Sequence, residues 1–146
     1  MEKNTIAVIN GPNLNLLGSR EPQVYGSRGF DDFLPELKLI YPHLSYHQSN
    51  VEGEIINLLH DAAKNCRGVI LNPGGYAHTS VAIADAIGAI DIPVIEVHIS
   101  NVYAREEYRH VMITASKCAG IVTGMGLSGY KTALYYLLNF AESKRV

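Results

Sequence analysis

Gly68-Val69-Ile70-Leu71-Asn72-Pro73-Gly74-Gly75 is an unbroken apolar run that ends in one polar residue and a turn. A run this short, bounded by Pro-Gly-Gly, reads as a strand covered on both faces, the kind that parallel sheets require. Behind it, residues 52–65 place Ile55, Ile56, Leu59 and Ala63 at helical spacing. Ahead of it, Thr79 or Ser80 can cap a helix reaching about residue 90, and Pro93-Val94-Ile95-Glu96-Val97-His98 forms the next strand. The unit is therefore helix, strand, helix, strand.

The same alternation continues in both directions. Thr5-Ile6-Ala7-Val8-Ile9-Asn10 is a β-branched run closed by Gly11-Pro12, and residues 31–41 put Phe33, Leu34, Leu37 and Ile40 on one helical face with Pro42 as the stop. Residues 44–48 alternate as a strand, residues 119–123 supply a fifth, and residues 130–143 a closing helix. Strands alternating with helices predict an α/β fold, a three-layer sandwich around a five-stranded parallel sheet in the flavodoxin-like order 2-1-3-4-5. With no repeat, low-complexity tract or linker, residues 1–146 read as a single domain.

Composition narrows the function classes. The net charge of −2, from 12 basic and 14 acidic residues dispersed along the chain, offers no field to recruit nucleic acid or an anionic membrane. No apolar run approaches the roughly 20 residues of a membrane span, and Met1-Glu2-Lys3-Asn4 leads into a strand with no secretory h-region, so a cytoplasmic location is expected. Cys66 and Cys118 are far apart and in no metal-binding spacing, and His43 and His47 fall in a strand-like segment as solvated side chains. Neither a zinc site nor a redox pair is suggested. A small neutral or anionic molecule is the expected ligand.

Open parallel sheets bind ligands beyond the carboxyl ends of their strands, where the strand order reverses. Three loops lie there: residues 11–26, 73–80 and 98–109. The first is too long for a plain connector and carries Arg20 and Tyr25. A free phenol titrates near about 10. A guanidinium about 4 Å away, at an effective dielectric near ~20, supplies up to roughly 4 kcal/mol, enough to make Tyr25 a usable base near neutral pH. Equally, Arg20 can pair with Glu21 while Tyr25 packs the loop.

Glu96, His98 and Ser100 recur with a period of two and project to one side if the extended conformation continues past His98, so a carboxylate can orient an imidazole as a general acid requires. His78 and Thr79 either touch a ligand at a helix start, where free N–H groups favour an anion, or merely cap the helix. Arg105 and Arg109, one helical turn apart, offer a clamp for a carboxylate or hydroxyl, with one of them pairing with Glu106 or Glu107 instead. Gly124-Met125-Gly126-Leu127-Ser128-Gly129 matches G-x-G-x-x-G but follows the last strand, so it reads as a packing turn and not a dinucleotide site.

Together, Gly11-Pro12-Asn13-Leu14-Asn15-Leu16-Leu17-Gly18, Arg20-Glu21-Pro22, Tyr25-Gly26, Asn72-Pro73-Gly74, His78-Thr79-Ser80, Glu96-Val97-His98, Ser100-Asn101 and Arg105-Glu106-Glu107-Tyr108-Arg109 closely resemble the type II 3-dehydroquinate dehydratases. The resemblance is collinear over nearly the whole chain. It implies a cofactor-free hydro-lyase of the shikimate pathway, assembled as a dodecamer of trimers, with 3-dehydroquinate as substrate. By the same resemblance Tyr25 removes the C2 proton with help from Arg20, and His98, oriented by Glu96, protonates the departing C1 hydroxyl. Asn13 holds a water on the enolate oxygen. Asn72, His78 and Arg109 bind hydroxyls, the backbone at Ile99 and Ser100 takes the carboxylate, and Asp85 reaches a neighbouring subunit's site. Gly29-Phe30 and Lys117-Cys118 depart from the family pattern, away from the catalytic set.

The rival reading is a flavodoxin-like binding or signalling module. A phospho-receiver needs clustered aspartates after strand one, where this chain has Asn10-Gly11-Pro12-Asn13, and a flavin site needs a Ser/Thr-rich phosphate loop at the same place. A catalytically dead scaffold is opposed by the full acid, base and arginine set.

Overall fold

A computed structural model describes residues 3–19 and 28–141. Five strands, β1 (Thr5–Asn10), β2 (Leu44–Gln48), β3 (Cys66–Asn72), β4 (Val94–His98) and β5 (Gly120–Thr123), form one sheet in the order β2-β1-β3-β4-β5, every neighbouring pair parallel. Four α-helices cover it: α1 (Phe30–Ile40), α2 (Glu52–Asn65), α3 (Val81–Ala89) and α4 (Ser128–Asn139). This is the flavodoxin-like sandwich expected from the apolar pattern.

Strand side chains alternate between two cores. Ile6, Val8, Ile70, Ile95 and Val97 face α1 and α4, meeting Phe30, Phe33, Leu37, Tyr130, Leu134 and Leu137. Ala7, Ile9, Val69, Leu71 and Val94 face α2 and α3, meeting Ile55, Leu59, Ile83 and Ile87. Complete burial of a Leu, Ile or Phe side chain stabilises by about 1.5–3 kcal/mol, so this double covering holds β1, β3 and β4 firmly in place. Those strands carry the site.

Some boundaries depart from the expectation. The first helix starts and ends one residue earlier than the pattern suggests, and Ile40, assigned above to the apolar face, is 51% exposed. The buried stripe is instead Phe30, Phe33 and Leu37, spaced three and four apart. The loops contain short 3-10 turns at Leu14–Leu16, Gly74–His78, Val102–Ala104, Glu107–His110 and Thr114–Lys117. Arg105 and Arg109 consequently do not share a helical turn: Arg105 ends one 3-10 turn and Arg109 lies in the next.

The G-x-G-x-x-G stretch is a packing turn. Gly124 N–H donates to His98 O at 3.2 Å and Gly126 N–H to Ile99 O at 3.0 Å, so these amides serve the sheet. Gly124 and Gly126 adopt positive φ of 88° and 61°, and a Cβ on Gly129 would lie 3.3 Å from Val97 and Val122. Glycine there lets α4 approach the sheet closely. Cys66 and Cys118 form no disulfide, and His43 and His47 are exposed. No helix among the described residues is long and apolar enough to cross a membrane.

Candidate active site

The cleft lies beyond the carboxyl ends of β1, β3 and β4, beside the reversal of strand order. Asn13, Asn72, His78, His98, Ile99, Ser100, Arg105 and Arg109 line it. Its floor comes from two loops locked together: Gly11 N–H donates to Asn72 O at 2.7 Å, and a Cβ on Gly11 would stand only 2.6 Å from Pro73 O. Gly74, at φ 60°, abuts Pro12 in the same way, with a Cβ there 3.0 Å from Pro12 O. No side chain fits between these backbones, which explains the glycines. Asn13 turns the first loop with φ 70°, a left-handed conformation that asparagine tolerates better than most residues.

The acid–base pair is built on β4. Its period of two turns Glu96 and His98 to the same side, and His98 Nε2 donates to Glu96 Oε2 at 2.7 Å. Thr114 Oγ1 donates to the other oxygen, Oε1, at 2.5 Å. Glu96 is fully buried and His98 6% exposed, so the pair is shielded from water while the imidazole still reaches the cleft. Because Nε2 is committed to a carboxylate, which only accepts, Nδ1 is the ring nitrogen left for proton transfer.

His78 stands opposite, its ring centroid 6.1 Å from that of His98. Its Nδ1 donates to Val111 O at 2.8 Å, which makes Nε2 of the neutral ring an acceptor. Burial pushes its pKa below the ordinary 6.5; the bond to Val111 opposes that shift, and the charges of His98 and Arg109 reinforce it. A neutral acceptor suits a ligand hydroxyl. His78 does not cap the following helix: Ser80 does, accepting from Ile83 N–H at 2.9 Å and donating to Glu52 Oε2 at 2.6 Å, while Thr79 is exposed. The expected anion-binding helix start is thus closed by a serine.

On the other face of the sheet a buried amide cluster supports the floor. Asn10 and Asn72 are register partners at the ends of β1 and β3. Tyr130 Oη donates to Asn10 Oδ1 at 2.7 Å and accepts from Asn72 Nδ2 at 3.0 Å, while Asn72 Oδ1 accepts from Gly74 N–H at 3.1 Å. Asn72 keeps one N–H and one lone pair for the cleft. Sequence reading missed Tyr130 in this role, since nothing local marks it among the apolar positions of α4.

Both arginines, not one, line the cleft, and both pair with Glu106: Arg109 Nε at 3.3 Å and Arg105 Nε at 3.7 Å from Oε1. Arg105 also donates to Ser100 Oγ at 3.3 Å. A hydrogen bond from Tyr108, above all, together with Arg109, lowers the Glu106 carboxyl to about 2. Ile99 and Ser100 follow the end of β4 and line the cleft. Asp85 is exposed on α3 and does not line this cleft. Arg20 and Tyr25 lie outside the described residues. Among the described residues, no three His, Cys, Asp or Glu side chains gather as a metal site.

A buried carboxylate–imidazole pair, a neutral histidine acceptor, amides and two guanidinium groups at a strand-end cleft define an α/β enzyme for acid–base chemistry on a hydroxylated, anionic substrate. The position a phospho-receiver needs for its aspartates holds Asn10, bound to Tyr130, so a signalling module is not favoured. The chain belongs to the dehydroquinase class II family, whose model matches residues 4–138. It is 51% identical over 142 residues to the 3-dehydroquinate dehydratase of Fusobacterium nucleatum, covering 92% of this chain and 97% of that protein. It is 54% identical over 136 residues to that of an Exiguobacterium species, covering 91% and 93%. The type II dehydroquinase structure from Butyrivibrio crossotus superposes with a TM-score of 0.88 at 42% identity, covering 94% of this chain and 99% of that one.

Proposed function

We propose that the protein removes water from 3-dehydroquinate by anti elimination, giving 3-dehydroshikimate through an enolate, as a hydro-lyase of the shikimate pathway without a cofactor. The observation that carries this reading is the buried Glu96–His98 pair facing a cleft of hydroxyl- and carboxylate-binding groups, in a chain of this family. Tyr25, its phenolate favoured by Arg20, takes the C2 proton, and the electron pair moves onto the C3 carbonyl oxygen as an enolate. A water held by Asn13 stabilises that oxygen. The enolate then collapses to a C1–C2 double bond as the C1–O bond breaks, and His98 gives its proton to the leaving hydroxyl, which departs as water. Proton return from Tyr25 to His98 through solvent completes the cycle.

In this scheme Glu96 keeps Nε2–H engaged and stabilises the imidazolium, whose Nδ1–H delivers the proton. Asn72, His78 and Arg109 accept or donate to substrate hydroxyls, and the backbone at Ile99 and Ser100 receives the carboxylate. Residues 1–146 act as a single catalytic domain in the cytoplasm, with neither nucleic acid nor membrane as partner. Asp85 completes the site of a neighbouring copy in a dodecamer of trimers. Supporting that assembly, Val81 and Asp85 are one turn apart and both exposed on α3.

The test is ultraviolet absorbance during incubation with 3-dehydroquinate in the presence of a chelator, because the product is a conjugated enone. A rise is expected from the native protein, and Tyr25→Phe should abolish it without loss of folded structure. No rise from well-folded native protein would overturn the proposal, and near-normal turnover by Tyr25→Phe would remove Tyr25 as the base. Sedimentation of the native protein checks the assembly.

A further inference from the structure

Residues 111–114 connect the two imidazoles of the cleft without lining it themselves. Val111 O accepts the Nδ1 proton of His78 at 2.8 Å, and Ile113 N–H donates to Ala77 O at 2.8 Å, tying the segment to the turn that carries His78. Thr114, with no exposed surface, opens the 3-10 turn Thr114–Lys117 and aims Oγ1 at Glu96 Oε1, 2.5 Å away. The two oxygens of Glu96 therefore each have a strong donor, Thr114 on one and His98 on the other. Cys118 Sγ stands farther off, 3.9 Å from Oε1, and 3.5 Å from Thr114 O.

A buried carboxylate with one oxygen unpartnered turns to find a donor, because the unmet group bears its full desolvation penalty. Any such turn would carry Oε2 away from His98 Nε2 and release the ring from its tautomer. We propose that Thr114 is a positioning residue for the reaction: its hydroxyl holds Glu96 so that the carboxylate presents Oε2 to His98. This rests on the reading of His98 as the proton donor. The hydroxyl is what matters in this role, and valine, with the same shape and no donor, isolates it.

Thr114→Val and Thr114→Ser distinguish this from a packing role. Loss of a hydrogen bond to a buried charged group should lower kcat in Thr114→Val by roughly 10- to 100-fold, with KM changed by no more than about threefold. Thr114→Ser should recover most of the rate. Nitrogen-15 spectra of the His98 ring, recorded at alkaline pH where the imidazole is neutral, should show the Nε2-protonated tautomer in the native and Thr114→Ser proteins and a mixture in Thr114→Val. Thr114→Ala, with the same expectations, replaces the valine variant if that protein does not fold. Native kcat in the hydroxyl-free variants, or a Thr114→Ser protein as slow as Thr114→Val, would overturn the proposal. An unchanged His98 tautomer would do the same. Should His98→Asn keep full turnover, the donor reading itself falls, while the nitrogen spectra still report whether Thr114 governs the ring.

Discussion

Replacing Tyr130 by phenylalanine removes one oxygen atom from the fully buried joint between Asn10 and Asn72. The ring stays, with its edge contact to Phe30 at 4.9 Å between centroids, so packing is preserved. Burial pushes the phenol far above its ordinary pKa, and the hydroxyl is therefore always present as donor and acceptor in the native protein. Its loss leaves Asn10 Oδ1 without its short donor and one N–H of Asn72 without an acceptor, each costing roughly 1–3 kcal/mol, offset by the desolvation no longer required of the hydroxyl. The net loss should be about 2–3 kcal/mol, or a fall in Tm of roughly 6–10 °C for a chain of this size. Urea unfolding at fixed protein concentration measures it, and KM should rise several-fold as the Asn72 amide loses its orientation. A destabilisation under about 0.5 kcal/mol with unchanged KM would refute the assignment of Tyr130 as the brace of both amides.

His78 gives a pH prediction. Its pKa in the folded chain lies below the unfolded 6.5, chiefly through burial, so the unfolded chain binds the extra proton more readily. The stability contributed by the neutral ring is complete above about 6.5 and is lost as pH falls through the folded value. Urea midpoints should drop on acidification, and less steeply for His78→Asn, whose amide can still donate to Val111 O; equal slopes would contradict this. Arg109→Lys should raise KM about tenfold with a smaller change in kcat, since an ammonium cannot offer the guanidinium's forked donors. With Glu106 held down to about 2, that clamp keeps its charge pair across any practical assay range, so this KM effect should not vary with pH through Glu106.

Strand-level structure was legible because it depends on local pattern. The apolar runs at β1, β3 and β4 gave their strands and, by alternation, the parallel sheet, while the two-residue spacing of Glu96 and His98 placed them on one side. What escaped depends on contacts distant in sequence. Tyr130 meets Asn10 across 120 residues, and Thr114 meets Glu96 across 18. The glycine stretch before Tyr130 points to packing and not to a polar joint, and a tyrosine in an apolar helix or a threonine in a polar loop has ordinary local explanations. The 3-10 turns escaped too, because one turn is too short to establish a period, and with them the separation of Arg105 from Arg109.

Glu96 and His98 lie on β4, which is hydrogen-bonded on both sides, to β3 and to β5. Fraying cannot reach such a strand without opening the sheet, so its amides should be among the last to exchange with deuterium. His78, Arg105 and Arg109 hang instead on short turns whose opening needs no sheet rupture. The machinery is thus divided between a proton donor that survives until the whole fold is lost and substrate-gripping groups that can loosen well before. Mild denaturant should accordingly weaken substrate affinity before the Glu96–His98 pair itself is lost.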